Sequence, residues 1–169
     1  GSVTGNNDVA GIVNKIDEDG KIENVAFIGK INSVGNNSRV GGIAGSNYMG
    51  FVNRAYVDAT ITANNANASM LVPYVTYMLN SWKSGTKARV TNSVAKGVLD
   101  VKNTRYVGVI VAKTWPYGAV QDNVTYAKVV KGQEIFASND VDCENGGPYV
   151  KDRYGVIGYS SAEDCTGRD

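Results

Sequence analysis

The chain has 169 residues, 43% of them hydrophobic and 20% charged, which supplies apolar material for one domain with a real core and argues against disorder. Seventeen Lys and Arg nearly balance sixteen Asp and Glu, and neither sign is gathered into a block, so the attraction that draws a protein to nucleic acid or to an anionic membrane is missing. Histidine is absent altogether, which removes Ser-His-Asp and Cys-His nucleophiles, the commonest general base and every zinc site built on imidazole.

Gly1-Ser2 reads as the scar of a cleaved tag, so the chain is expected to be an excised fragment forming one repeat domain over residues 1–169. Val9-Ala10-Gly11-Ile12-Val13 then opens a motif of small residues and β-branched ones, too short for a helix and too apolar for a loop. It returns as Val40-Gly41-Gly42-Ile43-Ala44-Gly45 and, in degenerate form, as Ala68-Ser69-Met70-Leu71-Val72. Further copies are Val107-Gly108-Val109-Ile110-Val111-Ala112 and Tyr154-Gly155-Val156-Ile157-Gly158.

Asp17, Asp19 and Glu23 surround Gly20 in a way that faintly resembles a calcium loop, but the ligand spacing and the closing glutamate are missing, so a solvated turn is expected. Asp140, Asp142 and Glu144 read the same way. A second motif begins at Ile22-Glu23-Asn24-Val25 and recurs as Val52-Asn53-Arg54-Ala55, Val90-Thr91-Asn92-Ser93 and, with one extra residue, Val120-Gln121-Asp122-Asn123-Val124. After it the apolar residues alternate: Val25, Phe27, Gly29, Ile31, then Ala55, Val57, Ala59, Ile61, then Ser93, Ala95, Gly97, Leu99. A period of two places each set on one face of a strand.

The motif steps by ~30–40 residues, the length of a solenoid coil and too long for the hairpins of a sandwich. The fold expected is therefore all-β, a parallel β-helix of about four irregular coils with two or three strands each, right-handed by the general preference of parallel crossovers. Gly20, Gly50 and Gly118 precede the second motif, where a turn with positive φ is expected. Asn24, Asn92 and Asn123 are expected at one corner, where stacked amides can hydrogen-bond along the axis in a structural role. No pair of carboxylates recurs on neighbouring strands, which leaves no glycosidase site.

The third repeat is stretched between Val72 and Thr86 and is rich in aromatic residues. The uncharged stretch around it is broken by Asn64, Asn65, Asn67, Pro73 and Asn80 into pieces far shorter than the ~20 apolar residues a bilayer requires, so no membrane insertion is expected. Trp82, Trp115 and Tyr117, with Tyr74 and Tyr77, are the candidate partner-binding patch, since rigid aromatics dominate interfaces; alternatively they cover the core at an irregular coil. Cys143 and Cys165 are too few for a structural zinc site. They can close a disulfide loop of about 20 residues, worth about 3 kcal/mol, or stand as two small core residues.

The motif Val40-Gly41-Gly42-Ile43-Ala44-Gly45 followed by Ile/Val-x-Asn-x-x-Val resembles the glycine-rich repeat ahead of the catalytic domain in the streptococcal immunoglobulin A protease family of zinc metalloendopeptidases. The stretches Tyr126-Ala127-Lys128-Val129-Val130-Lys131-Gly132-Gln133-Glu134-Ile135-Phe136 and Tyr154 to Tyr159 are similar to the same region. The resemblance implies an extracellular or cell-wall-bound parent that cleaves host immunoglobulin A or a related host glycoprotein, with zinc held in the parent's catalytic domain. It implies for this chain a monomeric, non-catalytic domain without a cofactor or metal, whose partners are the host glycoprotein and the parent's catalytic domain. The two cysteines have no place in that pattern. A structural stalk and a glycan-binding adhesin module are the competing readings.

Overall fold

A computed structural model describes residues 1–36, 38–76, 88–102, 106–114 and 118–131. Strand β1 (Ser2–Gly5) begins the longest sheet. The first coil then runs through β2 (Val9–Ala10), a bridge at Ile16, β3 (Lys21–Glu23) and β4 (Ala26–Ser33). The second comprises β5 (Arg39–Gly41), β6 (Asn47–Tyr48), β7 (Phe51–Asn53) and β8 (Tyr56–Asn64), and the third β9 (Asn67–Ser69), β10 (Tyr74–Thr76), β11 (Ala88–Thr91) and β12 (Val94–Lys102). The fourth enters at a bridge on Val107 and continues through β13 (Lys113–Thr114), β14 (Gly118–Gln121), β15 (Val124–Thr125) and β16 (Lys128–Lys131).

Every pairing between these strands is parallel and joins one coil to the next. The molecule is therefore the parallel β-solenoid of about four coils that the repeat predicts. Each coil feeds four rows rather than two or three: β2-β5-β9, then β6-β10-β13, then β3-β7-β11-β14, and last β1-β4-β8-β12 continued by β15 and β16. Strands of two or three residues are too short for alternation to register, which is why the second row could not be counted from the pattern.

The alternating residues stack as their spacing requires. Phe27, Val57 and Ala95 are in register, as are Ile31, Ile61 and Leu99, and all six side chains are buried. Partners along the third row are 30, 38 and 30 residues apart. Fully burying one of these aliphatic side chains contributes roughly 1.5–3 kcal/mol, and the core repeats the gain at every level. Ala68, a degenerate member by sequence, holds its place in the first row between Val40 and Val107 and is fully buried.

The corners differ from expectation in instructive ways. Positive φ before β3 and β7 belongs to Asp19 (62°) and Met49 (65°), not to Gly20 and Gly50. Gly50 is needed for space instead: a Cβ there would stand 2.2 Å from Ile16 Cγ2. The buried Asn47 side chain closes that turn, its Oδ1 accepting from Gly50 N at 2.8 Å and its Nδ2 donating to Gly50 O at 3.1 Å. The stretched repeat also begins later than its sequence suggests. Tyr74–Thr76 is a regular strand between β6 and β13, so the extra residues lie between Thr76 and Ala88, of which 77–87 fall outside the described residues.

Candidate functional site

The third row turns into the fourth through one left-handed residue per coil: Asn24 (φ 55°), Arg54 (53°), Asn92 (50°) and Asp122 (55°). Asn and Asp tolerate this region because their short polar side chains bond locally; arginine has no such help, and stacking holds it there. The register aligns Val90 with Val120 and Val94 with Val124, so no extra residue enters the fourth copy. Asn123 thus stands beside Ser93 rather than Asn92. From there its Oδ1 accepts from Ser93 N at 3.0 Å and its Nδ2 donates to Val90 O at 2.8 Å.

Side chains that link coil to coil lie one position before the corner. Asn53 Nδ2 donates to Glu23 Oε1 at 3.1 Å, while Asn53 Oδ1 accepts from Asn92 Nδ2 at 2.9 Å and from Thr91 Oγ1 at 3.3 Å. Glu23, Asn53 and Thr91 are in register. Asn92 joins this polar column from the corner, and the column satisfies groups that burial would otherwise leave unpaired.

The first and second rows carry a different assembly. β5 supplies Arg39, β6 supplies Tyr48, β10 supplies Tyr74, and Asp8 reaches in from the residue before β2. The guanidinium forks onto Asp8, Nε donating to Oδ1 at 3.0 Å and Nη2 to Oδ2, and its third arm donates to Tyr48 Oη at 2.7 Å. Its carbon lies 5.3 Å from the Tyr74 ring centre and 6.0 Å from that of Tyr48, and the two rings meet at 6.0 Å, tilted by 52°. Burial works against the Arg39 charge, but the bonds to Asp8 and Tyr48 outweigh it and hold the pKa above its ordinary value. A planar fork with aromatic neighbours is what arginine provides and lysine does not.

Lys15 Nζ sits 4.9 Å from the Tyr48 ring centre and pairs with Asp17 at 2.6 Å. Beside this group opens a polar hollow of about 360 Å³ lined by Asn7, Asp8, Asn14, Lys15, Asn36 and Ser38. Its charges are already matched, Asp8 by Arg39 and Lys15 by Asp17. What it offers a ligand is hydrogen-bonding groups beside tyrosines, a chemistry suited to a polar protein loop or a sugar rather than to an ion.

Of the aromatic patch expected from sequence, Tyr74 is half-buried in this group, whereas Tyr77, Trp82, Trp115 and Tyr117 lie outside the described residues, as do Cys143 and Cys165 and the carboxylates Asp140, Asp142 and Glu144. Asp8, Arg39 and Tyr48 carried no sequence signal, because Asp8 meets Arg39 across coils and Arg39 meets Tyr48 within one, at separations that no motif marks. Asp17 and Asp19 sit in the turn that Gly20 N closes on Asp17 O at 2.9 Å. Among the described residues no group of three or more His, Cys, Asp or Glu side chains is placed to hold a metal ion. The outward side of the fourth row mixes Asp58, Thr60, Thr62 and Lys96 with exposed Ile28, Val124 and Val130, and Lys96 Nζ lies 3.3 Å from Asp58.

No family model matches the chain, and no solved structure matches it. One curated protein does: zinc metalloprotease ZmpB of Streptococcus pneumoniae serotype 4, 54% identical over 136 residues. The match takes in 79% of this chain but 7% of the relative, so the chain is similar to a short part of a much longer streptococcal zinc metalloprotease. The match agrees with the resemblance as far as a streptococcal zinc metalloprotease.

Proposed function

We propose that this chain is a non-catalytic substrate-recognition domain of a secreted, cell-wall-associated zinc metalloprotease that cleaves host immunoglobulin A or a related host glycoprotein in immune evasion. One observation carries the reading: the chain matches 7% of a zinc metalloprotease and contains no histidine. Imidazole ligands on a helix are the usual means by which such enzymes hold zinc, so the catalytic centre belongs elsewhere in the parent. What remains for this segment is to hold the substrate or to shape the approach to the cleft.

The tyrosine and arginine group supports recognition over mere spacing. Tyr and Arg are the side chains that concentrate interface energy, and here they are fixed by neighbours before any partner arrives, which lowers the ordering cost of binding. Trp82 and Trp115 extend this reading by composition. The regular stacking of the fourth row from coil to coil favours the second reading, a stalk that only sets the protease off from the wall. Two measurements separate them. The isolated domain should retain host immunoglobulin A in a pull-down and lose it on Trp82→Ala or Trp115→Ala. The parent enzyme lacking this segment should cleave purified soluble substrate more slowly. Unimpaired cleavage together with no retention would leave the stalk.

A further inference from the structure

At one end of the solenoid the apolar stack runs out without a cover. Ile12, Ile43, Leu71 and Ile110 occupy the same position in successive coils, as the neighbouring pairings of the first row require. Ile43, Leu71 and Ile110 have no exposure, while Ile12 is 41% exposed. The third row repeats the contrast, with Val52 and Val90 fully buried and Ile22, in register with them, only half-buried.

The backbone tells the same story. β3 is the edge strand of its row. In a parallel ladder successive residues face opposite neighbours. Phe51 N donates to Gly20 O, and Arg54 N to Thr91 O, so Phe51 and Asn53 address β3 while Val52 addresses β11. By the same alternation Lys21 and Glu23 direct their N–H and C=O groups to the open side. Such an edge is met by water or by another strand.

The fourth row is already occupied at that level, for β1 lies on β4 and Lys30 N donates to Gly1 O at 2.9 Å. β1 therefore holds the place in its coil that β4, β8 and β12 hold in theirs. In each of those coils the third-row strand ends just before the fourth-row strand begins, at Glu23 before Ala26, Asn53 before Tyr56 and Thr91 before Val94. Ser2 pairs with Lys30, so three residues ahead of Gly1 complete that row opposite Ala26 to Ile28, and a strand that ends two corner residues before them lands on β3.

We infer that Lys21–Glu23 and Ile12 form a docking edge for one further parallel coil, supplied by the same polypeptide immediately ahead of β1. Its third-row strand places an apolar side chain over Ile22, and its first-row strand places another over Ile12. This holds whatever the domain recognises, and it fails independently of that reading.

The test compares the present chain with one lengthened upstream by one coil of its native sequence, about 30 residues. Amide exchange at Lys21 and Glu23 should slow at least tenfold in the longer chain. Ile12→Lys should leave the Tm of the short chain unchanged and lower that of the longer one. Equal exchange at both amides in the two chains would overturn the inference. So would protection that appears in the short chain as its concentration rises, since that assigns the edge to a second copy.

Discussion

The fourth row and the face bearing Arg39, Tyr48 and Tyr74 are made by the same coils but follow opposite rules. In the fourth row each side chain meets its own equivalent one coil away, as Ile31 meets Ile61 and Ile61 meets Leu99. On the other face the contacts join unlike residues, Asp8 of one coil to Arg39 of the next and Arg39 to two tyrosines. Repetition gives the architecture, since any residue that fits once fits at every level. The residues that break the repeat set this face apart from the rest of the solenoid.

Substitutions can press on that division. The largest effect is expected inside the fourth row. Ile61→Ala should lower the unfolding free energy by about 2–5 kcal/mol in denaturant titrations, because its neighbours above and below cannot collapse into the gap. Thr60→Ala, on the outward side of the same strand, should stay within about 0.5 kcal/mol. A similar loss from both would mean that the row is not the core.

Arg39→Ala should come next, costing about 1–3 kcal/mol because the half-buried Asp8 carboxylate and the Tyr48 hydroxyl lose their donor. Arg39→Lys should recover only part of this, since an ammonium cannot make the fork. Full recovery would show that charge alone matters on this face.

The smallest effect belongs to Lys96. Its hydrogen bond to Asp58 raises its pKa, so the pair's contribution is complete below the ordinary lysine value of 10.5 and disappears as the pH climbs through the raised one. Lys96 is exposed and Asp58 partly so, and Lys96→Ala should be barely distinguishable from the native chain at neutral pH in high salt. Whatever gap exists at low salt should close at strongly alkaline pH, as thermal melts at both extremes would reveal.

Much of the architecture was legible because stacking leaves a period behind. The alternation from Val25 to Ile31 and its two later copies determined strand, face and register together. The second row was hidden, since Asn47–Tyr48 is too short to alternate. The Asn123 position was misaligned by one because Asp122 takes the left-handed conformation as readily as asparagine. The column through Glu23, Asn53 and Thr91 was missed for a related reason: three different polar residues at one position share a function but no letter. The group around Arg39 was invisible, because an ion pair between coils has no local signature.

Only two residues separate the third row from the fourth in each coil, the first of them left-handed. A hinge so short has no slack, and a single inserted residue would turn the whole following strand inside out. Growth is tolerated instead between the second and third rows, where the third coil already carries its surplus after Thr76. The solenoid thus behaves like a bound book, fixed along one spine and free to vary in page length along another margin. Descendants of this sequence should vary in length at that margin and keep the two-residue corner unchanged.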